Sequence, residues 1–418
     1  MRGKSSVIVD SLVLLLNILS GGLSIIPILL MFDNIPINSA IVCIINIIWI
    51  VANYKKPVGR TSMVAFIPFF IMLVYQLPLG RFVFALCTLV GQSTFLWILS
   101  ILTRKYSASK SFDVMTNIYI IYCLLNVIGV CLAYSLIEFG VLNPYSNTLD
   151  INILTKDEGD VTPFFPGYLS VLRPNDAVRV AFLTNYGLFC GYSHEPHVVA
   201  YICMPGLFLI VNKLADSRKY NKPIFFALLF LLYVLFLLLT MSATSFICTI
   251  VSFMVFLLFM FRNTHKIKYI LLFITIVVIV VISTAFILDN FAFVFDKLIA
   301  NEGSKSYSQD RLSYAISPHN IFGSSIYTSS IDGDIGFFPA LFNLAFYISF
   351  AVLIVRLLRI KHSSLTFSVG MALFYMICHS MKIILLVYRY QYVVFFIFLG
   401  YFVCKNYHQI TQEKYLKS

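Results

Sequence analysis

The chain is 418 residues long, 60% hydrophobic and only 11% charged, with a mean hydropathy of +0.90. Soluble chains run at about 45–50% apolar and about 25% charged, so this composition excludes a cytosolic enzyme and a disordered chain. A net charge of +12 would suggest nucleic acid in a soluble protein, but here it fits lysines and arginines kept on the cytoplasmic side of a lipid bilayer, and no nucleic-acid partner is expected.

Taken in chain order, Met-Arg-Gly-Lys precedes an apolar stretch too long for a signal peptide, so a first retained span is expected. Apolar stretches between polar breaks then place spans at 8–31, 36–53, 62–78, 83–102, 114–139, 195–212, 224–241, 244–261, 269–289, 336–355, 364–382 and 387–404. The expected fold is an all-α polytopic membrane protein of about 12 transmembrane helices, one integral membrane domain over 1–418. Under this topology 21 of the 30 Lys and Arg lie on the side of the two termini, whereas 14 of the 18 Asp and Glu lie opposite. Basic residues mark the cytoplasmic side, so both termini are expected there, and one span more or fewer would invert every later loop.

Two connections break the pattern of short loops. Residues 141–186 and 290–335 both fall on the outer side and carry Pro, Gly and charge in place of apolar periodicity. Function is expected at these two long loops.

Five arginines lie on the outer face: Arg81, Arg173, Arg179, Arg311 and Arg389. The planar guanidinium fork can grip phosphate oxygens bidentately, which suits a lipid-linked pyrophosphate, although each arginine alone also suits plain loop solvation. At the mouth of the sixth span stands His194-Glu195-Pro196-His197, where a carboxylate and two imidazoles are costly unless they face a polar cavity. Glu195 and His197 are groups that could act as a general base on an acceptor hydroxyl, and Pro196 suits the first helical turn. His379 and Lys382 stand near the outer end of the eleventh span, where a lysine can equally snorkel to water. Cysteines show no CxxC pair and sit in apolar runs, so neither a metal site nor a structural disulfide is expected, and no cofactor.

Several of these segments resemble the O-antigen polymerase (Wzy-type) family, related to the O-antigen ligases. Gly191-Tyr-Ser-His-Glu-Pro-His-Val-Val-Ala200 resembles the family's G-x-x-x-E-P-x-x-x-A segment, with Arg179 upstream, and Leu239-Thr-Met-Ser-Ala-Thr-Ser245 resembles its L-T-x-S turn. Arg311 followed by Gly323 resembles the arginine-to-glycine segment shared with the ligases. The resemblance implies a GT-C-like enzyme of the cell inner membrane with two long periplasmic loops. It would join undecaprenyl-pyrophosphate-linked oligosaccharide repeats, a chain-length regulator and a flippase being further partners. It also implies that Arg179 and Arg311, with Arg173 and Arg389 as further candidates, hold the pyrophosphate, and that Glu195 with His197 or Asp334 takes the acceptor proton. A lipid-linked-oligosaccharide flippase and an O-antigen ligase are the competing readings.

Overall fold

A computed structural model describes residues 2–20, 35–53, 82–144, 167, 169–173, 186–193, 196–216, 223–264, 274, 337–360, 363–380 and 390–416. These form helices α1 (Arg2–Ser20), α2 (Ile35–Asn53), α3 (Phe82–Lys105), α4 (Ala108–Glu138), α5 (Pro196–Asp216), α6 (Pro223–Thr240), α7 (Ala243–Thr264), α8 (Phe337–Arg359), α9 (Ser364–Ser380) and α10 (Tyr390–Leu416). A short antiparallel ladder pairs β1 (Leu172–Arg173) with β2 (Leu188–Phe189). Ten of the twelve expected spans overlap helices, the first of them over 8–20, while 62–78, all of 269–289 but residue 274, and the long loop 290–335 lie outside the described residues. By length and composition, three stretches among the described residues can cross a membrane: Ala108–Glu138, Pro196–Lys213 and Tyr392–Glu413.

Helix surfaces carry the same message as composition. On α4, Ile121, Leu125, Ile128 and Leu132 follow one another at helical spacing and are exposed, while Tyr119, Cys123, Val127 and Val130 on the other face are fully buried. In a soluble protein the outward stripe would be charged, whereas a helix apolar all round belongs in lipid or in a large core. Exposed Ile41, Ile44, Ile48 and Val51 make a similar stripe on α2.

Local chemistry explains the helix ends. Gly140, at φ +68°, closes α4 with the amides of Val141 and Leu142 both donating to the Leu136 carbonyl, a left-handed cap that glycine adopts without a Cβ clash. Ser363 and Thr366 cap α9 reciprocally, each side-chain oxygen accepting the other's amide at 3.3 Å. α10 continues past the expected span end at 404, and its backbone departs from helical geometry at Asn406, whose amide donates to the Phe402 carbonyl at 3.0 Å. Inside α5, Pro205 removes one rung of the hydrogen-bond ladder, a local cause of bending.

The chain divides into two compact units, one of Met1–Cys123, Ala315–Leu357 and Ile384–Ser418, the other of Leu124–Tyr314 and Leu358–Ile383. In the first unit, α2 packs on α1 and α3, and α3 on α10. Asn17 and Asn46 exchange side-chain amide bonds at 2.7 and 2.8 Å, and Asn46 also donates to Thr94 at 2.9 Å, tying three helices together. Such bonds hold helices where lipid removes the hydrophobic driving force between them.

A second knot in this unit is charged. Asp10, 1% exposed, meets Lys105 at 2.8 Å, accepts from Trp49 Nε1 at 3.0 Å and accepts a short bond from the Tyr106 hydroxyl. Lys105 also donates to Asn53 at 3.1 Å. Burial, then the bond to Asp10, pushes the Tyr106 phenol up to about 12. This knot joins the middle of α1 to the ends of α2 and α3. Glu413 near the end of α10 accepts the Ser109 amide in the first turn of α4 at 3.0 Å.

Candidate functional site

In the second unit, a carbonyl-to-glycine contact seats the ladder. The Leu169 carbonyl oxygen lies 2.4 Å from where a Cβ on Gly129 would stand, so α4 admits this strand only because residue 129 has no side chain. From that anchor the Val171 amide donates to the Gly191 carbonyl at 2.6 Å, and Cys190 returns an amide to Val171 at 2.8 Å. Ser170 Oγ accepts the Gly191 amide and Asn126 Oδ1 accepts the Tyr192 amide, both at 3.0 Å. Gly191 is at φ +56°, and a Cβ there would come within 2.7 Å of Val199 and 2.9 Å of Asn126. The segment leading into α5 is therefore fixed by backbone geometry and by one buried asparagine of α4. Burial also pushes the Tyr192 phenol up.

Pro196 opens α5, as its fixed φ and missing N–H favour. His197 is half-buried, and one turn on, Tyr201 is fully buried with its ring 5.3 Å from that of His379 on α9. Tyr375, one turn before His379, stands 5.5 Å from the same imidazole and donates its hydroxyl to the Ala200 carbonyl at 3.3 Å. The imidazole thus lies between two tyrosine rings.

Its polar edge reaches the turn between α6 and α7. His379 Nε2 is 2.8 Å from Ser245 Oγ, which donates to Ser242 Oγ at 2.7 Å. Which group donates in the His379–Ser245 contact follows the imidazole tautomer. Ser242 sits at the N-cap of α7 and accepts the Ser245 amide at 3.4 Å. Met241 before it adopts φ +46°, a left-handed conformation that costs a non-glycine residue about 1–2 kcal/mol. Histidine, both serines and tyrosines are buried, so this knot as it stands fixes the turn and does not offer a nucleophile.

The segments that drew attention in the sequence thus come together in part. Gly191–Ser193, the start of α5 and Leu239–Ser245 meet at one end of the second unit, with His379 as the link. Arg173 lies on β1, opposite Leu188. The connection from β1 to β2 carries Arg179, which lies outside the described residues, as do Glu195, Arg311, Asp334 and Arg389. Sequence reasoning missed the partner of Ser245, the capping role of Asn126 and the strand ladder. A lone asparagine in the apolar run of α4 was the available signal for Asn126; a ladder of two residues per strand has no alternation to detect.

Compared with protein-family models, curated proteins and solved structures, the chain matches none of them.

Proposed function

We propose that this chain is a surface-polysaccharide polymerase of the O-antigen polymerase type, in which 12 spans carry a periplasmic site and both termini are cytoplasmic. The growing chain, linked through pyrophosphate to undecaprenol, is transferred to the terminal sugar of a new lipid-linked repeat. The bond from the anomeric carbon to pyrophosphate breaks, and the glycosidic bond to the acceptor oxygen forms. The acceptor proton goes to a base at the start of α5, and undecaprenyl pyrophosphate leaves. Arg179 and Arg311 neutralise the leaving group, with Arg173 and Arg389 as further cations, and Glu195 with His197 or Asp334 serves as the base. The observation supporting this reading is the meeting of the two segments that resemble the family, Gly191–Ala200 and Leu239–Ser245, through Tyr201, His379 and Ser245.

Deleting the gene and running the surface glycan on a gel tests the reading. Single repeats on the lipid core should persist while the ladder of longer chains disappears, whereas loss of all repeats would instead mean a flippase or a ligase. Arg179→Ala and Arg311→Ala should each abolish the ladder at normal protein abundance, and a full ladder in both sinks their assigned role.

A further inference from the structure

In the first unit, α3 and α10 flank a cavity of about 530 Å³ that closes against the start of α4. Ser100 and Arg104 on α3 share one face, as do Phe398, Phe402 and Lys405 on α10, each set at helical spacing. Walking along α10 toward the chain end, the lining changes from two phenylalanines to a lysine within seven residues, about 10 Å of helix rise. Across the cavity, α3 contributes buried Ser100 and, one turn on, exposed Arg104.

This gradient matches one class of ligand. An anion alone would need no aromatic wall, and an apolar chain alone no cations; a phosphate joined to an acyl chain uses both. By the sequence topology the cationic end faces the cytoplasm, where anionic headgroups attract basic residues just outside the hydrocarbon. Glu413 also lines the cavity, but its carboxylate accepts the Ser109 amide at the start of α4, which partly neutralises it. Arg104 and Lys405 against Glu413 leave the lining at one net positive charge, and a guanidinium with five donors can serve several acceptors at once.

We propose that the α3–α10 cavity binds an anionic phospholipid of the cytoplasmic leaflet, with its phosphate between Arg104 and Lys405 and the start of an acyl chain along Phe398 and Phe402. This site does not depend on the reaction proposed above. The test uses the delipidated full-length protein in detergent and follows its melting temperature against phosphatidylglycerol, phosphatidylcholine and sodium phosphate. Phosphatidylglycerol should raise the midpoint more than phosphatidylcholine, and sodium phosphate should leave it unchanged. In Arg104→Gln/Lys405→Gln the apparent affinity for phosphatidylglycerol should fall about thirty-fold, as expected for two cation–headgroup contacts. Both side chains are exposed, so the variant folds; the single variant Lys405→Gln should show an intermediate loss. Equal preference for phosphatidylglycerol in the double variant, or stabilisation by sodium phosphate alone, overturns the proposal.

Discussion

The two units are each held by a buried polar knot, and the knots differ in charge. Around Asp10 in the first unit, an ion pair is wrapped by an indole, a phenol and an amide, so that the carboxylate has a partner on each oxygen. Around His379 in the second, the described partners are two serine hydroxyls and two tyrosine rings, and the bonds run from helix α9 to the cap of a two-residue turn. The difference teaches what each knot is for. A saturated buried ion pair has no capacity left for a substrate and joins helix ends. The histidine–serine contact holds a sharp turn beside the start of α5.

The largest expected effect breaks the charged knot. Lys105→Ala leaves Asp10 buried without its cation and should destabilise the protein by about 3–5 kcal/mol, read as a fall in the unfolding midpoint of purified protein. Pairing Asp10→Asn with Lys105→Met should recover much of that loss; no recovery would mean the helices need the charge itself.

Next in size, Ser245→Ala removes two buried bonds, to His379 Nε2 and to Ser242 Oγ, at a cost of about 1–3 kcal/mol. That loss should be unaffected by salt, because both groups are fully buried, and a clear salt dependence would erase the contrast between the knots.

The smallest effect lies in alkali. Because the folded protein holds the Tyr106 proton up to about 12, against 10 for an ordinary phenol, the stability it lends is complete below pH 10 and is lost as pH rises toward 12. Tyr106→Phe should flatten the decline of the melting temperature across that window, and parallel declines in both proteins would show that the phenol carries no such linkage.

Much of the helical plan was legible before any coordinates. Ten expected spans overlap helices, and among the described residues three of those stretches are long and apolar enough to cross a membrane. Ends were less exact. α4 starts six residues before its expected span, since polar Ser109 and Ser111 can be helical outside the hydrocarbon, and α10 runs twelve residues past its own. At the candidate site, the sequence singled out Gly191–Ala200 and Leu239–Ser245 but not what joins them, because His379 lies 134 residues from Ser245 and no local pattern reports such a distance. Asp10 was likewise unremarkable in sequence, with partners 39 and 95 residues away.

By itself the sequence determined that this is a chain of apolar helices, because hydropathy is a property of each segment and needs no partner. Only the tertiary structure decided which polar groups meet: that Asp10 faces Lys105, that Asn17 faces Asn46, and that an imidazole on α9 supports the turn before α7. Hydrogen bonds act over about 3 Å, so their pairing follows from packing, which is set by the whole fold and not by any one stretch of the chain.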